Sequence, residues 1–248
     1  MKNLSPKSLG EIRMTDKERN KRKELTRAPR PRIASTIVLT HGPKDNTRIL
    51  MGQRSSKHDF MPSVYVFPGG RVDRGDSYVD YAGDLSPRTE TIMEAAFSPR
   101  KARAVVLASV RETYEETSLL LGEPGVTTRN INHPSWDAFR QAGLKPTLDR
   151  IEVFGRAITP PHRHKRFDAW FFIKQLDTPN LPEIADSAEL LNVGWFTFDE
   201  IWKLELQRAT EMMLKVLQQY LAYDRPPAHI FYSYAKRGKF LIDTFPTQ

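Results

Sequence analysis

The chain contains 248 residues, 39% of them hydrophobic, with a net charge of +8 and no cysteine. The lack of cysteine excludes a disulfide framework, thiolate catalysis and zinc–thiolate sites. Apolar runs are too short for a membrane span and the polar, basic N-terminus does not resemble a secretory signal, so a cytoplasmic protein is expected. Most of the positive charge falls in residues 1–32. This predicts a flexible basic arm at 1–31 and one folded domain at 32–248, with no membrane as partner. Nucleic acid is disfavoured as a partner, and contact of the arm with RNA or an acidic partner is the alternative.

The folded part opens with three segments rich in β-branched and apolar residues. A strand is predicted over 34–40, its hairpin partner over 47–53, and a shorter strand over 64–67. The last of these leads into Gly69 and Gly70. Adjacent glycines permit backbone geometry that a side chain would obstruct, so this loop can approach a phosphate or fold beneath a helix.

A stretch without clear periodicity, at about 77–97, is interpreted as an insertion. Ser98 then offers an N-cap and Pro99 a favourable first helical position. They predict a long helix that ends near Leu121, where Gly122 can stop it. Apolar residues recur on one side of this helix, so that side is expected to pack against a sheet.

The second half of the chain continues the alternation of strands and helices. A short helix is predicted from 133 to 142, and Thr197 with Glu200 forms a capping-box signature for a later one. The other predicted elements are strands at 151–159, 167–176 and 189–196, and helices at 199–204 and 209–223. Strands interleaved with two substantial helices indicate the α/β class, as an α/β/α sandwich around a mixed β-sheet.

The strongest chemical signal is a group of three carboxylates, Glu112, Glu115 and Glu116, on one edge of the long helix. Carboxylates this close repel each other unless a cation lies among them. Hard divalent ions such as Mg²⁺ take oxygen ligands and usually serve phosphate chemistry. The alternative interpretation is a solvated acidic helix face that binds nothing.

Together with Phe67–Gly70, the segment Arg111–Leu119 resembles the signature of the Nudix hydrolases, in which a glycine-led loop precedes Arg-Glu-x-x-Glu-Glu. Three positions depart from it, since Asp76 replaces a Glu, Thr113 an apolar residue and Ser118 a glycine. The resemblance implies the Nudix fold and hydrolysis of a pyrophosphate bond with Mg²⁺ or Mn²⁺ as cofactor. The metal ligands that it implies are Glu112, Glu115 and Glu116.

The spacing between Gly70 and Arg111 is much longer than in the uninterrupted signature, which places the insertion inside it. An interrupted signature resembles the acyl-CoA diphosphatase branch of the family. Three downstream segments resemble that branch as well: Ile158–Pro161, Arg166–Phe172 and Gly194–Phe196. This implies hydrolysis of CoA or acyl-CoA to 3′,5′-ADP and (acyl-)4′-phosphopantetheine. A Nudix hydrolase of another nucleotide, such as ADP-ribose, an NDP-sugar or a dinucleotide, and a non-catalytic nucleotide-binding module remain as alternatives.

The resemblance also implies roles for single residues. Arg111 would pair with a carboxylate and hold the helix edge in shape, and Asp73 and Asp76 would support the metal directly or indirectly. The resemblance implies that Arg111, Glu112 and Glu115 are catalytic residues. Glu115 is one candidate for the general base. The other candidates are carboxylates of a later loop: Glu183, Asp186 and Glu189.

The predicted substrate is a small-molecule nucleotide, and its ligands come from three parts of the sequence. The residues assigned to substrate binding are Gly69, Gly70, Arg54, Arg163 and Arg166, with His58 as a further cation beside Arg54. Arg54 also matches part of a pattern known from shorter coenzyme A diphosphatases. The sequence leaves the oligomeric state open, a homodimer included.

Overall fold

The computed structural model describes residues 29–55, 63–127, 129, 131–161, 163–237 and 239–246. Most of the arm predicted at 1–31 lies outside the described residues, and so does His58. The flexibility of the arm and the domain boundary at 31 stay predictions.

Most strands of the described residues form one mixed sheet of nine strands. Its central path runs β11-β10-β7-β8-β1-β2-β3, while β4 pairs with β1 and β9 pairs with β2. Separately, β5 and β6 pair with each other. The strands are β1 Arg32–His41, β2 Arg48–Arg54, β3 Tyr65–Val66, β4 Gly69–Arg71, β5 Gly122–Pro124, β6 Leu144–Pro146, β7 Glu152–Ile158, β8 Phe167–Leu176, β9 Leu190–Thr197, β10 Ile230–Lys236 and β11 Lys239–Phe245.

Five α-helices lie among these strands in the described part of the chain. They are α1 Pro87–Glu94, α2 Pro99–Thr117, α3 Pro134–Gln141, α4 Phe198–Ile201 and α5 Arg208–Ala222. The capping box predicted for α4 is confirmed, because Thr197 and Glu200 bond reciprocally. Over the residues that the structure describes, no helix has the length and apolar character needed to cross a membrane.

The sheet carries a helix on each face because the central strand β1 has apolar residues on both of its faces. Ile37 and Leu39 lie in the core beneath α2, whereas Val38 lies in the core beneath α5, because successive strand residues point to opposite faces. β1 pairs with β8 in parallel and with β4 antiparallel, and a strand buried on both faces is expected to be apolar throughout. The predicted α/β/α sandwich around a mixed sheet is confirmed.

The insertion contains regular structure that its weak periodicity did not indicate. Ser86 accepts a hydrogen bond from the Thr89 backbone N–H at 3.1 Å, and the proline that follows it begins α1. The insertion packs against the N-terminal half of α2, where Arg103 forms ion pairs with Asp84 and Glu90 at 2.9 and 2.8 Å. The long helix is intact, so the insertion interrupts only the loop before it.

The long helix ends earlier than predicted. It stops at Thr117 rather than near Leu121, and Ser118 takes a left-handed conformation with φ of 60°. The Ser118 N–H donates to the Tyr114 carbonyl at 2.8 Å and closes the last turn. Left-handed geometry favours glycine, which explains why the family signature has glycine where this chain has Ser118.

Two pairs of strands were not predicted. β10 and β11 form an antiparallel hairpin at one edge of the sheet, and β10 joins β7 in parallel. The short pair β5 and β6 brackets α3. The sequence interpretation ended with α5 and made no use of Arg237-Gly238, the glycine-containing two-residue link between β10 and β11 that is a signal for a hairpin.

Candidate active site

The carboxylate group lies on the C-terminal half of α2, where the helix packs against β1 and β4. Thr113, which replaces an apolar residue of the signature, is fully buried. Its hydroxyl donates to the Ser109 carbonyl at 2.8 Å, one helical turn back. Because the buried hydroxyl has a partner, this departure leaves the packing of the helix intact.

Arg111 is the most highly connected side chain of the site. Its Nε and Nη2 donate to the two carboxylate oxygens of Asp76 at 2.9 and 3.2 Å, and Nη2 also donates to the Arg71 carbonyl at 2.7 Å. Its Nη1 donates to Glu112 Oε1 at 2.8 Å and to Glu115 Oε2 at 3.0 Å. Arg111 is 2% exposed and Asp76 is 0% exposed. Arg111 therefore connects the loop before the insertion to two carboxylates of the helix.

The hydrogen bonds of Asp76 favour an indirect role over direct coordination of a metal, the two roles that the sequence left open. Both of its oxygens bind Arg111, and one also accepts the Asp73 backbone N–H at 2.8 Å. Burial raises the pKa of Asp76, while the hydrogen bond and charge of Arg111 act in the opposite direction. Burial alone would lower the pKa of Arg111, but Asp76 and Glu112 raise it overall.

The two glycines of β4 lie directly against the carboxylates. The Gly69 N–H donates to Glu116 Oε2 at 2.8 Å. A Cβ on Gly70 would lie 2.5 Å from the carboxyl group of Glu112, and one on Gly69 would lie 2.5 Å from the Ser35 carbonyl oxygen of β1. These close approaches explain why both positions are glycine. Adjacent glycines were predicted to let this loop either approach a phosphate or fold beneath a helix. The structure shows the loop folded beneath the helix.

The buried carboxylates are held at a cost in free energy. Burial raises the pKa of Glu112 to about 7, with the charge of Glu115 adding to the effect and that of Arg111 opposing it. The pKa of Glu116 is raised well above its ordinary value by burial and then by the charge of Glu112. Glu112 and Glu116 therefore repel each other in a poorly solvated space. This is typical of a functional site and not of a solvated helix face.

Glu115 is more open and has partners that the sequence did not indicate. The Ser135 hydroxyl, at the start of α3, donates to Glu115 Oε1 at 2.6 Å. His133 Nε2 lies 3.9 Å from Glu115 Oε1 and 3.9 Å from Asp73 Oδ2. His133 and Ser135 were predicted only to open a helix. Nothing in their local sequence connects them with a carboxylate in α2, since only the packing of α3 brings them together.

The later carboxylates and Arg54 differ in their relation to the site. The charge of Glu189 raises the pKa of both Glu112 and Glu116, and the charge of Arg54 lowers that of Glu116. The Asp186 oxygens accept the Asn192 and Val193 backbone N–H groups at 3.0 and 2.9 Å. Glu189 is therefore the carboxylate of this loop that faces the pair, while Asp186 shapes the turn before β9. Glu183 is exposed.

The two other arginines predicted to bind substrate lie in the loop between β7 and β8. Arg166 donates to the Thr159 and Pro29 carbonyls at 3.0 and 2.7 Å, so it fixes that loop to the residues just before β1. The Arg163 backbone N–H donates to the Pro160 carbonyl at 3.2 Å. A role in substrate binding stays a prediction for both.

The acidic side chains suit a hard divalent cation in their chemistry, since all three offer carboxylate oxygens. Across the described ranges, no three histidine, cysteine, aspartate or glutamate side chains are gathered closely enough to form a ready-made metal cluster. Instead, Gly69 holds Glu116, while Arg111 holds Glu112 and Glu115. Metal binding by these three glutamates stays a prediction.

The glycines give a pair of matched substitutions with different expected effects. Gly69→Ala places a methyl group against the backbone of β1, so we expect a loss of about 1–3 kcal/mol of unfolding free energy. Gly70→Ala meets a side chain instead and is expected to displace Glu112, with less destabilisation. Urea unfolding of both variants checks the difference. Equal stability of Gly69→Ala and the unsubstituted protein would contradict the packing of β4 on β1.

Two curated proteins are similar to this chain. It is 31% identical to the acyl-coenzyme A diphosphatase NUDT19 of Gallus gallus, across 65% of this chain and 59% of that protein. It is 26% identical to nudix hydrolase 7 of Caenorhabditis elegans, across 66% of this chain and 50% of that protein. The chain thus spans a little over half the length of the curated relatives it matches.

No family model matches the chain, but a solved structure shares its fold. A NUDIX hydrolase from Alicyclobacillus acidocaldarius superposes with a TM-score of 0.58 and 23% identity, covering 77% of this chain and 93% of that one. At this identity the likeness concerns the fold alone. The mixed-sheet sandwich is the fold of the Nudix hydrolases, and both curated relatives carry a Nudix name or activity, so the chain is similar to that family in fold and in sequence.

Proposed function

We propose that this chain hydrolyses a pyrophosphate bond in a nucleoside diphosphate derivative, with a divalent cation held by Glu112, Glu115 and Glu116. The observation that carries the proposal is the burial of Glu112 and Glu116 beside each other, with a raised pKa for both. Burying carboxylates that repel each other destabilises the fold. A pure binding module has no need of that arrangement, whereas a metal-dependent active site does.

Each side chain of the site has a part in the proposed reaction. The cation, Mg²⁺ or Mn²⁺, would neutralise charge on the phosphoryl oxygens and lower the pKa of the attacking water. Arg111 orients Glu112 and Glu115 by hydrogen bonds of 2.8 and 3.0 Å, and the Gly69 N–H orients Glu116. Orientation by buried hydrogen bonds keeps the oxygens in place before substrate arrives.

Two carboxylates qualify as the general base. Glu115 has a side chain that is 31% exposed, and it is fixed by Arg111 and Ser135. Glu189 is exposed, and its charge raises the pKa of both Glu112 and Glu116. We retain both as candidates. Comparison of the pH–rate profiles of Glu115→Gln and Glu189→Gln separates them, since loss of the base removes the limb of the profile that reports its titration.

CoA or acyl-CoA is the substrate that we propose, giving 3′,5′-ADP and (acyl-)4′-phosphopantetheine. Support comes from the interrupted signature and from a relative named as an acyl-coenzyme A diphosphatase, at 31% identity. The insertion leaves α2 intact and packs away from its carboxylates, so the interruption is compatible with activity. A Nudix hydrolase of another nucleotide is the alternative.

Product analysis by mass spectrometry tests the proposal. The protein is incubated with CoA, an acyl-CoA, ADP-ribose and a dinucleoside polyphosphate, each with Mg²⁺ or Mn²⁺. We expect 3′,5′-ADP from CoA or acyl-CoA, and strongly reduced product with Glu115→Gln. Cleavage of another substrate alone would keep the reaction type but replace the CoA assignment. Absence of product across the panel would overturn the proposal in favour of a non-catalytic nucleotide-binding module.

The hydroxyl of Ser135 provides a further test of the metal assignment. Ser135→Ala removes the 2.6 Å hydrogen bond that fixes Glu115 Oε1. We expect the affinity for Mn²⁺ to fall about 10-fold or more, the usual effect of losing a group that orients a metal ligand. Titration of Mn²⁺ followed by electron paramagnetic resonance measures this directly. Ser135→Thr keeps the hydroxyl and should retain most of the affinity, whereas unchanged Mn²⁺ binding in Ser135→Ala would count against Glu115 as a ligand.

A further inference from the structure

The insertion forms one side of an open cleft that is separate from the carboxylate group. The cleft has a volume of about 800 Å³ and lies between residues 76–77 and 79–81 on one side and the N-terminal half of α2 on the other. Arg100 and Arg103 of α2 line it, and Lys145 of β6 closes it on another side. Small-molecule sites usually measure about 300–1,000 Å³. The cleft is therefore large enough for a ligand of nucleotide size.

The positive charges of the cleft are only partly neutralised. Arg103 is paired with Asp84 and Glu90 at 2.9 and 2.8 Å, and Arg129, also in the lining, is paired with Asp80 at 3.3 Å. Arg100 and Lys145, by contrast, form no ion pair with a carboxylate of the described residues. These two cations face the same open space, whose two lining carboxylates, Asp76 and Asp80, are paired with Arg111 and Arg129 instead.

Arg100 is held in a fixed orientation. Its guanidinium lies 4.3 Å from the centre of the Tyr78 ring, and its Nε donates to the Ser77 carbonyl at 3.0 Å. Stacking on an aromatic ring and a backbone hydrogen bond reduce the freedom that a phosphate contact would otherwise have to remove. The remaining donors of Arg100 have the planar geometry that suits a phosphate group.

Tyr78 lies next to the cleft without lining it, because its ring stacks on Arg100. It is 40% exposed, and a hydrogen bond from Arg74, together with the charges of Arg74 and Arg100, lowers the pKa of its hydroxyl. Arg74 is thus a further cation near Tyr78. The Tyr78 ring orients Arg100 and is not part of the cleft surface.

We infer that this cleft binds the phosphate-bearing part of a nucleotide, with Arg100 and Lys145 on the phosphate. Arg100 precedes Glu112 by twelve positions on α2, which is about 18 Å along a helix axis. Two sources share this chemistry: the end of the substrate remote from the cleaved bond, and a free nucleotide that acts as an effector. The assignment to the remote end of the substrate rests on the proposed function. The binding of a nucleotide in the cleft does not depend on it.

Binding of ADP in the presence of EDTA tests the site without catalysis. EDTA removes divalent ions, so the glutamates on α2 repel the phosphates and binding reports on the cleft. Isothermal titration calorimetry is performed on the full chain and on Arg100→Glu and Lys145→Glu. We expect each substitution to weaken ADP binding at least about tenfold, since it replaces a charge-assisted hydrogen bond by repulsion. If a reversed charge impairs folding, Arg100→Ala and Lys145→Ala replace the glutamate variants in the titration.

Lys215→Glu is the matched control, because Lys215 is exposed on α5 on the other face of the sheet. It changes the net charge equally and should bind ADP as the unsubstituted protein does. The inference is overturned if the unsubstituted protein does not bind ADP in EDTA. It is also overturned if the cleft variants bind as tightly as Lys215→Glu.

Kinetics with the substrate found in the product analysis distinguish the two sources. If the cleft holds the remote end of the substrate, Arg100→Glu raises KM more than it lowers kcat, and ADP competes with substrate. If a free nucleotide is the ligand, ADP changes the turnover of the unsubstituted protein and this response is lost in Arg100→Glu. Either result supports the site. If the protein cleaves no substrate, the proposed function fails, and the ADP titration still decides whether the cleft binds a nucleotide.

Discussion

Arg111→Met is expected to lower the unfolding free energy by about 3–5 kcal/mol, the cost of removing one partner of a buried ion pair. The substitution leaves the fully buried Asp76 without the guanidinium that binds both of its oxygens. It also frees Glu112 and Glu115, so loss of activity should accompany the loss of stability.

Urea unfolding at several pH values measures the effect. The difference should be smaller at pH 5 than at pH 8, because burial already raises the pKa of Asp76 and a protonated carboxyl needs no counter-charge.

Two further variants identify the cause. Arg111→Met with Asp76→Asn removes both charges and is expected to recover part of the stability but none of the activity, because Glu112 and Glu115 stay without their donor. Arg140→Met is the control, since Arg140 forms an exposed ion pair with Asp137 at 3.0 Å that should contribute about 1 kcal/mol or less. An Arg111→Met protein as stable as Arg140→Met would show that the buried network does not stabilise the fold.

The sequence was sufficient to predict the parts of the site that lie on one helix. Glu112, Glu115 and Glu116 are related by helical spacing, and that spacing follows from 3.6 residues per turn wherever the helix forms. The alternation in β1 likewise places Ile37 and Val38 on opposite faces without further information. Local periodicity was enough in both cases.

Contacts between distant segments could not be predicted in the same way. Asp76 and Arg111 are 35 positions apart and meet only because the insertion loops out between them. Ser135 reaches Glu115 because α3 packs beside α2. The resemblance to a family pointed to Asp76 through its position in the signature, but it gave no indication of Ser135. The double glycine was ambiguous until β4 was seen to lie beneath the carboxylates.

The order of the elements explains how this chain accommodates the insertion. The Gly69–Gly70 turn is fixed by pairing with β1, and Asp76 is fixed by Arg111. The residues between Asp76 and α2 are therefore free to form their own helix, α1, which is attached through Arg88 to Glu152 of β7 at 3.0 Å. Extra chain at this point lengthens the loop without moving the carboxylates, since both of its ends are held independently.

Glu112→Gln is expected to stabilise the metal-free protein at pH 8 while abolishing most of its activity. The pKa of Glu112 is raised from 4.5 to about 7 in the folded state, so the folded protein binds more protons than the unfolded chain between these values. Stability contributed by the protonated form is complete below about pH 4.5 and is lost as the pH rises towards 7. A shift of this size corresponds to a loss on the order of 3 kcal/mol, which Gln avoids because it carries no charge.

Unfolding in EDTA from pH 4 to pH 8 measures this as the difference between Glu112→Gln and the unsubstituted protein. The difference should grow through the window from about 4.5 to 7 and stay constant above it. Glu94→Gln, an exposed position on α1, should show no such change. With saturating Mg²⁺, turnover of Glu112→Gln should fall by about two orders of magnitude, as for loss of one electrostatic contact in an active site. A gain in stability together with this loss of turnover indicates that Glu112 is retained for chemistry and destabilises the fold. A difference in stability that does not change with pH would show instead that the Glu112 carboxylate is not buried and repelled by its neighbours.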